Sequence, residues 1–445
     1  NSAAASGGYA VDNSCRFNSG SNDFLNKTNG TPTNSKKFTT SVWIKRSKLG
    51  EEYLLDSFTD SQNKEQVYFR SDDNSLVFFS RQSNSTVCSL RTSRLFRDTS
   101  AWYNIIMAID TTQGTASNRF KIYVNGVQET SFATETYPNQ NVDFHINTNN
   151  KPLIIGEYGG GGSNYNGYIS EYCLIDGQQL DPTSFGEFDE DSGIWKPINV
   201  SGLTFGNNGF YLDFEDSSAL GNDANGSNNF TVNNLTAIDQ STDTCTNNFA
   251  TLNPLGGSLP LATFSDGNLT LASNTASAYQ SAIGTIAIPT TGNWYWEYKV
   301  LQTTNGSSGE GFIGVALESS YNASSNPQKL DADGIIAELS GASGGSNFDA
   351  GDIASVEVDR TNNTLKIFKN GSSTASLTKT SLPNEIIFPY VTCFGSGTAS
   401  VSANFGSPSF AISSGNQDGN GYGNFEYAVP SGYYSLNTKN LAEYG

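Results

Sequence analysis

The chain is short of chemistry-bearing side chains. It has one histidine, one methionine and five cysteines in 445 residues, and charged residues make up only 15%. Ordinary soluble domains carry roughly 25% charge. With a single histidine, Ser-His-Asp, Cys-His and His-rich metal sites all hang on His145. That residue sits in Val142-Asp-Phe-His-Ile146, alternates with apolar neighbours and reads as an ordinary strand histidine. No GxSxG, P-loop or βαβ-type GxGxxG motif occurs. Cys15, Cys88, Cys173, Cys245 and Cys393 are scattered, odd in number and without CxxC spacing. They read as small hydrophobes on strands in a protein assembled in a reducing cytoplasm. No stretch approaches the roughly 20 apolar residues that span a bilayer. The opening Asn1-Ser-Ala-Ala-Ala-Ser-Gly-Gly has no signal-peptide pattern.

Positive charge is also scarce. Lys and Arg number 24 against 43 Asp and Glu, a net charge of −19, and no basic run stands out. Nucleic-acid binding depends on neutralising phosphates, so it is excluded as a leading function. Solubility must come from amides and hydroxyls, which suits an extracellular or particle-surface setting. Sequons such as Asn26, Asn84 and Asn305 are expected by chance in a chain so rich in Asn, Ser and Thr.

What is abundant points to strands. Aromatics reach 12% and glycines number 45. Period-2 segments bounded by turn residues predict strands at 39–45, 67–70, 75–79, 102–109, 119–124, 152–156, 168–175 and 209–214. Residues 216–257 are Asn- and Asp-rich, low in bulky apolar residues, and read as an extended connector. The pattern restarts at 293–300, 312–316, 353–359, 364–368, 386–391 and 399–405. Lys121-Ile-Tyr-Val-Asn-Gly126 and Lys366-Ile-Phe-Lys-Asn-Gly371 both end in Asn-Gly, the strongest short hairpin signal. Two tandem all-β antiparallel sandwiches follow, with residues 407–445 as an arm past the second.

The first half resembles laminin-G-like (concanavalin A-like) jelly rolls. Val42-Trp-Ile-Lys45, Trp102-Tyr-Asn-Ile-Ile106, Phe120–Gly126, Ile154-Ile-Gly156 and Gly167-Tyr-Ile-Ser-Glu171 follow in their order, which assigns residues 1–215. The second half, 258–406, resembles a SPRY domain through Gly292-Asn-Trp-Tyr-Trp-Glu297, Ile313-Gly-Val315, Gly351–Val356, the Lys366–Gly371 hairpin and Asn404-Phe-Gly406. In tandem they are similar to large virion proteins of tailed bacteriophages. The resemblance implies a non-enzymatic tail-fibre, receptor-binding or capsid-decorating protein on the virion surface, assembled in the host cytoplasm. Its implied partners are other virion proteins, further copies of itself and a host glycan or receptor. The alternatives are a secreted lectin-like adhesin and a polysaccharide hydrolase.

For binding, Glu157-Tyr158, four glycines and Asn164-Tyr165-Asn166 read as an exposed loop. Tyr158, Asn164, Tyr165 and Asn166 supply rigid apolar faces with polar tips and adaptable hydrogen bonds, suited to a sugar or protein. Asn305 to Gly311 and Ser320 to Gly334 are candidate rim loops of the SPRY-like half. In Trp294-Tyr295-Trp296 the tryptophans read as core and Tyr295 as outward. No cofactor is expected. Asp331 and Asp333 offer oxygens for calcium, but without an EF-hand spacing. For hydrolysis, Glu187, Asp189 and Asp191 alternate as a retaining pair of carboxylates would. Their setting between Asp181-Pro182 and Ser192-Gly193 reads instead as a solvated acidic loop.

Overall fold

The structure is a computed structural model that describes residues 8–256, 262–302, 311–317, 335–338, 348–395 and 399–445. The chain divides into two compact units, Ala5–Thr246 and Asn247–Gly445. The first begins with β1 (Ser14–Phe17), β2 (Phe24–Thr28), β3 (Lys37–Arg46), β4 (Glu52–Asp60), β5 (Asn63–Phe69), β6 (Ser75–Gln82), β7 (Ser85–Leu95), β8 (Trp102–Asp110) and β9 (Phe120–Val124). It continues with β10 (Val127–Gln128), β11 (Phe132–Thr136), β12 (Pro152–Ile155), β13 (Gly167–Asp176), β14 (Gly186–Phe188), β15 (Trp195–Pro197), β16 (Phe210–Leu212), β17 (Thr231–Asn233) and β18 (Gln240–Ser241).

Two eight-stranded sheets form the sandwich. The first runs β10-β9-β8-β3-β13-β1-β18 with β16 beside β13, and the second β11-β7-β6-β5-β4-β12-β2-β17. Alternation sends Phe38, Ile44, Ile105, Ile122 and Ile169 inward from the first sheet. They meet Leu55, Val67, Phe78, Leu90 and Leu153 of the second. Asn125 and Gly126, at φ of 48° and 76°, make the tight turn from β9 to β10 that the Asn-Gly pair predicts.

Residues 180–215 close the outer face of the first sheet. Phe185, Trp195, Val200, Phe205 and Tyr211 pack there on Trp43, Ile106, Tyr123, Cys173 and Ile175. The expected connector is corrected here: residues 216–246 complete the first unit. β17 adds to β2 and β18 adds to β1. Leu220, Phe230 and Leu235 enter the core, where the Phe230 ring meets Phe210 edge-on at 4.9 Å. Burying one such phenyl ring contributes about 1.5–3 kcal/mol, enough to hold an otherwise polar segment down.

The second unit contains β19 (Thr263–Ser265), β20 (Thr270–Ala272), β21 (Thr275–Ile283), β22 (Asn293–Gln302), β23 (Gly311–Leu317), β24 (Ile335–Glu338) and β25 (Ile353–Asp359). β26 (Thr364–Lys369), β27 (Leu377–Thr380), β28 (Ile387–Gly395), β29 (Ser400–Asn404) and β30 (Tyr434–Ser435) complete it. Its sheets run β19-β20-β29-β22-β25-β26-β27, with β30 parallel to β22, and β21-β28-β23-β24. Trp294 and Trp296 are core, as expected. Tyr295 points to the opposite face yet is buried, because Phe425 packs edge-on against it at 5.0 Å. The C-terminal arm thus lies on its own sandwich. The Glu297 carboxylate accepts from the backbone N–H groups of Glu426 and Tyr427 and from Tyr295 and Asn404. The arm ends in a helix, Thr438–Tyr444, capped by the Asn437 side chain. Cys15, Cys88, Cys173 and Cys393 are buried on β1, β7, β13 and β28, whereas Cys245 is half-buried outside any strand.

Candidate ligand-binding face

The second sheet of the first unit turns several half-exposed aromatic rings to its outer face. Since Leu55, Val67, Phe69 and Phe78 point into the core, their strand neighbours point outward. The register aligns these outward residues in three rows across β4, β5 and β6: Tyr53–Tyr68–Val77, Asp56–Gln66–Phe79 and Phe58–Lys64–Arg81. A bulge between Tyr53 and Leu55 brings Tyr53 into line with the rest. Tyr53 and Tyr68 stack at 5.0 Å and 14°, and Tyr158 joins them, 5.0 Å from Tyr53 and 5.3 Å from Phe58. Phe58, Tyr68, Phe79 and Tyr158 stay half-buried, so part of each ring faces solvent.

Beneath these rings lies Asp56, fully buried. Its Oδ2 accepts from the Gly159 N–H and the Gln66 amide, both at 3.0 Å, while Oδ1 has no partner. Burial pushes its carboxyl up to about 7, against the lowering effect of those two bonds. The glycine tract makes this approach possible. A Cβ on Gly159 would stand 2.4 Å from Phe58 Cβ, so only glycine lets the backbone reach Asp56. Gly161 and Gly162, with positive φ, turn the chain back toward the sheet.

The four residues expected in an exposed loop separate. Tyr158 lies on the outer face. Asn164, Tyr165 and Asn166 are buried, which corrects that expectation. The Tyr165 hydroxyl donates to the Lys45 carbonyl at 3.0 Å and its ring meets Phe17 edge-on. The Asn166 N–H donates to Glu52, which also holds the buried Arg46 guanidinium at 2.7 Å. Tyr165 and Asn166 anchor the loop, and Gly160 to Ser163 are its exposed part. Sequence reading missed Asp56, Phe58, Lys64, Gln66 and Arg81. Their signal was an aromatic-polar alternation over 53–68, which β5 showed only in part and β4 was not read to have.

Other candidates resolve differently. His145 lies in a one-turn 3-10 helix, His145–Asn147, not on a strand. Burial and nearby Lys151 push it down to about 4. Glu187 sits on β14, paired with β15, and not in a loop as expected. Lys196 bridges Glu187 and Asp189 at 3.3 and 3.2 Å. The Ser192 backbone N–H and hydroxyl, with Lys196, hold Asp189 down at about 2, which keeps it ionised. Residues 305–310 and 320–334, including Asp331 and Asp333, lie outside the described residues, and Gly311 opens β23. Among the described residues, no group of three His, Cys, Asp or Glu is arranged to hold a metal ion.

Residues 19–178, which contain every residue of this face, match the concanavalin A-like lectin/glucanases superfamily. Over that span the first unit is similar to concanavalin A-like lectins and glucanases. Similar solved structures include the SPRY domain of human HERC1, at 15% identity over 34% of this chain and 96% of that chain, with a TM-score of 0.28. The native heptameric SAP-like pentraxin of Limulus polyphemus is 18% identical over 46% of this chain and 93% of its own, with a TM-score of 0.31. Domain 4 of AbnA, an extracellular arabinanase of Geobacillus stearothermophilus, is 19% identical over 33% and 64%, with a TM-score of 0.24. A comparison with curated proteins finds no match. The chain is therefore all-β, built of antiparallel sheets in a lectin-like jelly-roll fold.

Proposed function

We propose that this chain is a non-enzymatic binding protein whose concanavalin A-like domain holds a saccharide on the outer face of its second sheet. The observation that carries the reading is the Tyr53–Tyr68–Tyr158–Phe58 platform over a buried carboxylate and amide. The half-exposed Phe58, Tyr68, Phe79 and Tyr158 rings offer flat apolar surface to the C–H face of a pyranose, and buried Asp56 with Gln66 fixes the loop that carries Tyr158. Binding of the whole chain to an immobilised glycan panel tests this. Tyr158→Ala should weaken a bound glycan by about tenfold or more, as loss of a central aromatic anchor does. Unchanged binding in that variant would remove the face from consideration.

The setting we propose is the surface of a tailed-phage virion, as a tail-fibre, receptor-binding or capsid-decorating component. The order of a concanavalin A-like half before a half resembling SPRY domains supports it, as do buried free thiols suited to cytoplasmic assembly. Other virion proteins, further copies of the chain and a host surface glycan are the proposed partners. Mass spectrometry of purified particles tests this setting. Recovery of the chain only from culture medium, with occupied sequons, would favour a secreted adhesin.

A further inference from the structure

Two cations stand on the outer face where strand pairing disfavours them. Lys64 of β5 and Arg81 of β6 are direct cross-strand partners on the outward side. Like charges in that position destabilise a strand pair. Neither takes part in an ion pair among the described residues, whereas Arg91, on the same face, is neutralised by Asp73. Aromatic rings hold the two in place. Lys64 Nζ lies 5.8 Å from the centroids of both Phe79 and Tyr158, and Arg81 Cζ lies 5.5 Å from Phe79. Arg81 Nε is buried and has no acceptor. Half-buried Glu157 and exposed Glu51, which accepts from Ser163, sit toward the other end, whereas buried Asp56 lies in the row next to Lys64, whose charge acts to lower its carboxyl. The face therefore carries half-exposed aromatic rings over a buried carboxyl, with two cations at one end and Glu51 and Glu157 at the other.

Resting on the glycan-binding reading above, we infer that the face selects an acidic saccharide. Its carboxylate or sulfate sits between Lys64 and Arg81, and its ring lies on Phe79 and Tyr158. The anion relieves the Lys64–Arg81 repulsion and accepts from the N–H groups that these half-buried side chains turn to solvent. With a net charge of −19 the chain does not steer anions from a distance, so the selectivity is a short-range contact effect.

The test uses matched glycan pairs on the full chain: sialylated and desialylated lactosamine, a galacturonate hexamer and its methyl ester, and sulfated and desulfated chondroitin hexamers. The acidic member of at least one pair should bind about tenfold tighter or better, the size of one charge-assisted contact. The pair that responds separates a carboxylate from a sulfate ligand. Lys64→Met with Arg81→Met should abolish the preference, so that the acidic and neutral members of each pair bind alike. Lys64→Gln with Arg81→Gln should do the same, and both double variants should melt at or above the wild-type temperature. Equal binding of both members of every pair, or a preference that survives the double substitutions, overturns the inference and leaves glycan binding standing. Failure of every glycan, acidic and neutral, overturns the glycan reading with it.

Discussion

At the scale of single residues, Tyr158 and Tyr165 show how one loop divides its work. Both belong to a stretch of tyrosine, asparagine and glycine that looks uniformly exposed in sequence. Yet the Tyr165 hydroxyl serves the Lys45 carbonyl inside the sandwich, and Tyr158 lies on the outer face. Tyr165→Phe should lower stability by about 1–2 kcal/mol, the cost of an unmet buried acceptor, and leave glycan affinity unchanged. Chemical denaturation beside a binding assay checks both halves. Composition alone could not separate the two, because what decides is which ring the carbonyls of β3 reach. The buried carboxyls give a second prediction. Asp56, Glu65 and Glu171 are each pushed up to about 7 by burial. The folded chain therefore keeps protons that the unfolded chain releases near pH 4, and their stabilising contribution is full in acid and lost as pH rises through 7. The melting temperature of the first unit should fall by several degrees between pH 5 and pH 8. Asp56→Asn and Glu171→Gln should each flatten that slope, and an unchanged slope in both would assign it to other groups.

At the scale of elements, alternation made β3, β8, β13 and β22 readable, since each packs an apolar row against a core. β9 and β26 were readable from their Asn-Gly turns. β4, β7 and the residues after 215 were not. β4 and β7 spend their outward positions on polar and aromatic side chains and break register at bulges, which blurs a period of two. The segment 216–246 brings only Leu220, Phe230 and Leu235 to the core, too widely spaced to form any period. Its order comes instead from polar contacts such as Asp223, whose carboxylate accepts from the backbone N–H groups of Tyr211, Asn225 and Asn228. Phe230→Ala should therefore cost about 3–5 kcal/mol, as a buried phenylalanine does and a connector residue does not. Thermal melting of that variant measures it. Gly159→Ala should act on function more than on fold: its methyl would force the loop away from Phe58 and pull the Gly159 N–H off Asp56. Glycan affinity should drop markedly while the melting temperature moves by a few degrees at most.

At the scale of the molecule, the division falls between Thr246 and Asn247, and each side has a core of its own. A unit that buries its own apolar residues and satisfies its own strand edges needs no help to fold. Residues 5–246 made alone should melt in a single cooperative transition and keep the glycan specificity, because every residue of the proposed binding face lies between Glu51 and Ser163. Residues 5–215 should not. Cutting there removes β17 from the edge of the second sheet and β18 from the edge of the first. It also strips the core of Leu220, Phe230 and Leu235, a loss that at about 2–5 kcal/mol per large side chain rivals the whole stability of an ordinary domain. Side-by-side melting of the two fragments decides the matter. If residues 5–215 melt as sharply and as hot as residues 5–246, the segment after 215 is an attachment and not part of the sandwich.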